Sequence, residues 1–231
     1  MQVMQQQKKA ETPSNLTHWL LHVSNLKLIV GLGNPSPQYD HTRHNVGALW
    51  VRALAHQYQI PLQLDTKFKG EVGRGSVAGV DLRLLVPNTY MNLSGEAVGP
   101  LLRFYKIDID DVLVAYDEMA FEPGQVRLKQ GGGDNGHNGL KSVRSGCGNN
   151  GNFHRLRIGV GHPGHKDRVV AYLTQHKMPA DQVALVEQVT NFNNAVMQDI
   201  VQKNWPSAMN VLHTDPSAKQ EPRRPTQADE E

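Results

Sequence analysis

Residues Leu28 to Tyr58 spell a strand, a loop and a helix in that order, and this unit constrains the fold more than any other stretch. Leu28, Ile29 and Val30 form the short apolar, partly β-branched run of a buried strand, which Gly31 and Gly33 end by freeing the backbone. Pro35 and Pro37 lack amide donors and bias their predecessors away from helical angles, so Asn34 to Tyr39 is predicted as loop. From Thr42 onward Val46, Leu49, Trp50, Ala53 and Leu54 recur at helical spacing, with Thr42 or Asp40 available as a cap. His44 falls near that helix start, where the partial positive charge of the helix disfavours imidazolium and leaves a ring able to accept a proton. The plainer alternative is a histidine that only hydrogen-bonds its turn, one of eleven in the chain.

Further strands are predicted at 27–30, 68–74, 81–86, 112–116, 125–129 and 155–160, and helices at 42–58, 94–106, 138–144, 167–172 and 180–202. This alternation argues for an α/β fold, one mostly parallel sheet with helices on both faces, whose site lies beyond the carboxyl ends of strands. The 231 residues supply a sizeable core, and no apolar run reaches the roughly 18 residues of a membrane helix. Cys147 is the single cysteine, which excludes an internal disulfide and suits a reducing, cytoplasmic compartment. The formal charge of +2 says little about partners, because the acidic end Asp229-Glu230-Glu231 masks a more basic interior. Residues 1–25 read as a loosely ordered N-terminal extension and the Pro-rich, charged 214–231 as a disordered tail, leaving one domain at 26–213.

Three more clusters follow strands. In VPNTYMNLSGEAV, Ser94 is the expected cap of a helix, and Asn88, Met91 and Asn92 lie in the loop; an amide side chain that donates and accepts can grip a peptide or ribose. In VLVAYDEMAFEPG, Asp117 and Glu118 are adjacent on extended backbone and must point opposite ways, so one faces the cleft and can orient His44. In VRLKQGGGDNGHNGLKSV, His137-Asn138 stand where a phosphate-binding loop needs Lys-Ser or Lys-Thr, which leaves a flexible loop running into a helix start. The first loop fails as a dinucleotide fingerprint in the same way, with Ser36 in place of the third glycine.

His41 with His44, and His162 with His165, have metal-like spacing but no helical glutamate beside them, and Cys147 has no adjacent base. Lys129, Lys141, Arg144, Arg155, Arg157, Lys166 and Arg168 gather late in the core and can form a basic edge for a phosphate backbone.

Four stretches, GLGNPSPQYDHTRHNVG, PNTYMNLSGEAV, DEMAFEPGQVRLKQGGGDNGHNGL and FHRLRIGVGHPGHKD, together resemble the bacterial peptidyl-tRNA hydrolase family in order from Leu28 to about Leu173. The resemblance implies a cytoplasmic, monomeric enzyme with a twisted mixed β-sheet flanked by α-helices. It implies hydrolysis of the ester between the peptide and the terminal ribose of peptidyl-tRNA, with no metal or other cofactor, no membrane and no obligatory protein partner. It places the catalytic histidine at His44, its partner at Asp117 and substrate-positioning asparagines at Asn34, Asn92 and Asn138. Tyr39, Met91 and His137 then line the cleft, and Lys129 and Arg157 contact tRNA phosphates. The chain departs from the family pattern at Ser36 and at Asp134-Asn135, where the Asp134 carboxylate is expected to repel RNA. Two other classes are a nucleic-acid binder of the same fold, which has no need of His44, Asp117 and Asn34 together, and a nucleotide-binding domain, which needs the missing lysine or glycine.

Overall fold

The computed structural model describes residues 24–213, so the predictions for 1–23 and for the tail lie outside the described residues. Seven strands form one sheet: β1 (Leu28–Gly31), β2 (Gln63–Asp65), β3 (Gly70–Val77), β4 (Val80–Pro87), β5 (Val112–Glu118), β6 (Val126–Gln130) and β7 (His154–Gly159), in the order β2-β3-β4-β1-β5-β7-β6. The central pairs β4–β1, β1–β5 and β5–β7 are parallel, while β2–β3, β3–β4 and β6–β7 are antiparallel. The mixed sheet implied by the family resemblance is present, and the mostly parallel sheet read from the alternation is corrected. The reason is local: only Ala78 and Gly79, at φ 46° and 87°, join β3 to β4, and so short a link permits a hairpin alone.

The helices are α1 (Val46–Gln57), α2 (Gly95–Tyr105), α3 (Asn138–Gly146), α4 (Val169–Thr174), α5 (Ala180–Thr190), α6 (Asn194–Val201) and α7 (Trp205–Leu212). The helix predicted at 180–202 is two helices, because Asn193 accepts the Val196 amide (3.0 Å) and starts α6 anew. The predicted helix at 42–58 begins as a single 3₁₀ turn, Arg43–Asn45, and becomes α-helical at Val46. Neither Thr42 nor Ser94 caps its helix; their hydroxyls turn back to donate to Tyr39 O (2.7 Å) and Met91 O (2.8 Å).

Both faces of the sheet are buried. Leu28 and Val30 belong to the core under α2 and α3, and Ile29 to the larger core under α1 and α4 to α7. That explains a continuous apolar β1 rather than an alternating one. Helix α1 lies directly against β5: a Cβ at Gly47 would stand 2.2 Å from the Ala115 carbonyl oxygen, so only glycine permits this approach. The turn before α1 is thereby held beside the carboxyl end of β5.

Candidate active site

Four segments meet beyond the carboxyl ends of β1, β4 and β5, where open α/β sheets place their ligands. The loop after β1 carries Asn34 and the turn of His44. The end of β5 carries Asp117, the turn after β4 carries Met91 and Asn92, and the start of α3 carries His137 and Asn138.

His44 Nδ1 donates to Asp117 Oδ1 at 2.8 Å, with side chains 10% and 1% exposed. The nearly dry carboxylate makes this a strong orienting contact, and it leaves His44 Nε2 without a protein partner among the described residues. Burial pulls the His44 pKa down, but the charge and hydrogen bond of Asp117 outweigh it and the net shift is upward. This corrects the helix-start expectation for His44: the carboxylate wins over the helix end. Burial raises the Asp117 pKa, yet the two neighbouring histidines reverse this and hold it far below the usual carboxylate range.

The histidine that does sit at a helix start is His137. Its Nδ1 accepts the amides of Gly139 (3.1 Å) and Leu140 (3.3 Å), capping α3. With that lone pair occupied, the ring proton resides on Nε2, which donates to Asp117 Oδ1 at 3.0 Å. Two imidazoles therefore converge on one oxygen, their ring centroids 5.0 Å apart, while Asp117 Oδ2 is buried without a hydrogen-bond partner among the described residues. The ligand-type atoms of His44, Asp117 and His137 lie within 4.8 Å of one another, the sort of trio that can hold a metal. The hydrogen-bond pattern argues against that use: to ligate through Nε2, His137 would move its proton to Nδ1, against two amide donors.

Asn34 is fixed on three sides. Its backbone N–H donates to Asn45 Oδ1 (2.8 Å), Asn45 Nδ2 donates to its carbonyl (3.0 Å), and its own Oδ1 accepts the Met91 amide (2.7 Å). Only Nδ2 is left to offer a ligand. Met91 is buried against α3, where a Cβ at Gly139 would lie 2.4 Å from its sulfur. Asn92 and Asn138 are exposed, and Tyr39 is half-buried in the turn Pro37–Tyr39, outside the hydrogen-bonded cluster.

The basic edge is thinner than the sequence suggests. Arg157 bonds Glu118 Oε2 through Nε and Nη2, both at 3.0 Å, and so does not stand free for a phosphate. Adjacent Asp117 and Glu118 do point opposite ways, as the extended backbone requires. Arg155 is buried and donates to Gly133 O (2.7 Å) and Gly132 O (2.8 Å), pinning the loop expected to be flexible. Asp134 bonds Arg144 at 2.8 Å, so its charge is compensated rather than turned on RNA. Lys129 and Lys141 remain exposed. Among the other histidines, exposed His162 and His165 cap their own turns by accepting the Gly164 and Asp167 amides (3.0 and 3.3 Å). Burial pushes the Cys147 thiol up to about 11, the wrong direction for a nucleophile. Asn45, Arg155 and Glu118 act only through folded partners; the one sequence signal for Asn45 is its place beside His44.

The family profile described as peptidyl-tRNA hydrolase matches residues 28–221. The chain is 47% identical over 192 residues to a peptidyl-tRNA hydrolase of Marinomonas sp. (strain MWYL1), covering 83% of this chain and 98% of that protein. The same identity and coverage hold for a peptidyl-tRNA hydrolase of Haemophilus influenzae, 47% over 192 residues, 83% and 98%. A crystal structure of peptidyl-tRNA hydrolase from Acinetobacter baumannii superposes with a TM-score of 0.77 at 46% identity, over 82% of this chain and 95% of that one. The family profile and these relatives match the chain over nearly the whole of the relatives' length, and the chain belongs to the peptidyl-tRNA hydrolase family.

Proposed function

We propose that this chain, a hydrolase by family, cleaves the ester joining the peptide to the terminal ribose of peptidyl-tRNA with His44 as general base. The observation that carries the reading is the 2.8 Å bond from His44 Nδ1 to a carboxylate 1% exposed. It fixes the ring's tautomer and leaves the Nε2 lone pair free for a water proton.

Water attacks the ester carbonyl as His44 Nε2 takes its proton. The imidazolium that forms is stabilised by Asp117, whose Oδ2 has no hydrogen-bond partner among the described residues. Asn34 Nδ2 and the Asn138 side chain supply donors for the water and the developing oxyanion. His44 then returns its proton to the ribose oxygen as the carbon–oxygen bond breaks, freeing tRNA and peptide. No step requires a cofactor or metal.

Lys129 stands exposed to meet a tRNA phosphate, with Arg157 contributing once it leaves Glu118. Tyr39, Met91 and Asn92 flank the substrate, and His137 acts through Asp117. We place this activity in one domain over residues 26–213, working as a monomer in the cytoplasm without an obligatory protein partner; the single sheet with a core on each face and the lone cysteine support that reading. Among the described residues no helix is long and apolar enough to cross a membrane.

Incubation with peptidyl-tRNA alongside aminoacyl-tRNA tests the activity: tRNA should be released from the first alone. Retained binding without release would favour the non-hydrolytic RNA binder, and a folded His44→Ala protein working at the parent rate would remove His44 from the mechanism.

A further inference from the structure

An open groove of about 770 Å³ runs between α2 and α3, outside the hydrogen-bonded cluster. Its floor is nearly bare backbone. A Cβ at Gly95 would lie 2.0 Å from Ser142 O and one at Gly146 2.4 Å from Gly95 O, so the helices touch main chain to main chain. Ser142 Oγ accepts the Gly95 amide at 2.9 Å and locks that crossing. Long side chains form the walls: Lys67, Lys69, Arg103 and Lys141 against one carboxylate, Glu96, a balance of four positive and one negative, or +3.

The cations are held only by weak, exposed contacts, Arg103 by a 3.2 Å bond to Gly146 O. Lys69 bonds Glu96 at 2.7 Å, both side chains about half exposed, a pair worth little in water. Lys141 makes no ion pair among the described residues, and Lys67 stands 3.1 Å over the centroid of the Phe104 ring, itself 55% exposed. Tyr90, 53% exposed, precedes the turn that carries Asn92. A positive trough with a close-packed floor, with the exposed rings of Phe104 and Tyr90 beside its lining residues Lys67 and Asn92, suits a sugar-phosphate backbone. It suits a nascent peptide less, since a peptide has no fixed charge to match.

Asn92 and Asn138 line this groove as well as the rims of the catalytic cleft, so it opens where the ester must lie. We propose that the α2–α3 groove binds the single-stranded RNA next to the ester, with Lys67 and Lys141 as phosphate contacts; this rests on the peptidyl-tRNA reading above. The groove lies apart from Lys129 and Arg157 and gives the RNA a second point of attachment. Glu96 weakens it by occupying Lys69.

The test uses Lys67→Ala, Lys141→Ala, the double variant and Glu96→Gln, all at exposed positions. The probe is deacylated tRNA, titrated across a salt series, together with kcat and KM for peptidyl-tRNA. Each lysine variant should bind tRNA several-fold more weakly, and the slope of log Kd against log salt should fall by about 1 per lysine. KM should rise while kcat stays within about twofold, the pattern of a lost uniform-binding contact. Glu96→Gln should tighten binding, a gain that damage to the fold does not produce. Unchanged tRNA affinity and salt slope in the double variant would overturn the proposal. So would a KM change that tracks the peptide while deacylated tRNA binds as before. A parent protein that neither binds nor releases tRNA would instead remove the reading beneath it.

Discussion

His137 donates from Nε2 to Asp117 Oδ1 at 3.0 Å, and the direction of that bond is set from the far side of the ring, where Nδ1 caps α3. A helix terminus thus decides which nitrogen of His137 shares the carboxylate with His44. His137 stabilises the charge on Asp117 and so moderates its pull on the proton of His44.

Removing His137 should therefore move two quantities. His137→Ala uncaps α3, at a cost of about 0.5–2 kcal/mol. It also leaves Asp117 more basic, which raises the His44 pKa further and shifts the acid limb of kcat/KM to higher pH. His137→Asn keeps a capping side chain without the reach of an imidazole, so it should restore melting temperature more than the limb. A pH–rate profile that does not move would dismiss the shared carboxylate.

Asp117→Asn should shift the limb the other way. The Asp117 charge is what lifts His44 above its ordinary 6.5 against the downward pull of burial, so without it the limb moves to lower pH. The rate should fall by about 10²–10⁴-fold, the usual worth of general-base assistance. Comparing pH profiles of kcat/KM for parent and variant checks both.

The same pair governs stability against pH. The raised His44 pKa contributes stability that is complete below 6.5 and lost as pH climbs through the folded value. The depressed Asp117 pKa contributes stability that is complete above 3.8 and lost as pH falls through its folded value. The stability gap between parent and Asp117→Asn should hence be widest between those two ordinary values and narrow on either side, as urea unfolding at stepped pH would reveal.

Arg157 and Lys129 should part company on mutation. Arg157→Ala leaves Glu118, 8% exposed, without its cation and should destabilise the fold by about 3–5 kcal/mol. Lys129→Ala, at an exposed edge-strand position, should leave the denaturation midpoint in place and weaken tRNA binding alone. Equal midpoints for the two variants would contradict the buried pair.

Gly47→Ala forces a methyl to within 2.2 Å of the Ala115 carbonyl oxygen. Overpacking of this kind costs about 1–3 kcal/mol, and relief requires α1 to lift from β5, carrying His44 away from Asp117. A variant with parent kcat and parent stability would show that the two elements are not coupled.

How much of this was legible in the chain depends on how local the cause is. Asp117 and Glu118 were separable because a strand alternates its side chains, and β1 was readable because burial on both faces demands a continuous apolar run. The Ala78-Gly79 hairpin is a local signal too, and strand-helix alternation without it implies an overly parallel sheet. The strand β2 (Gln63–Asp65) is short, polar and mostly exposed, so no periodicity marks it, and it exists because β3 offers an edge. Helix α7 follows Asn204 and carries Pro206 in its first turn, a start signal present in the sequence itself. Arg155, Asn45 and the Glu118–Arg157 pair were out of reach, since nothing near them in the chain says which distant carbonyl or carboxylate they meet. The basic edge was overestimated for that reason: a cation in a sequence looks free until its partner folds onto it.

The near-complete burial of Asp117 has a consequence for how the enzyme responds to its medium. A carboxylate 1% exposed lies where dissolved ions do not reach, so its hold on His44 is indifferent to ionic strength. Lys67, Lys129 and Lys141, the proposed RNA contacts, stand in open solvent, where every added salt ion competes with them. Turnover at saturation and capture at low substrate are consequently governed by separate dials, and rising salt should slow the encounter while leaving the bond-breaking step at its own pace.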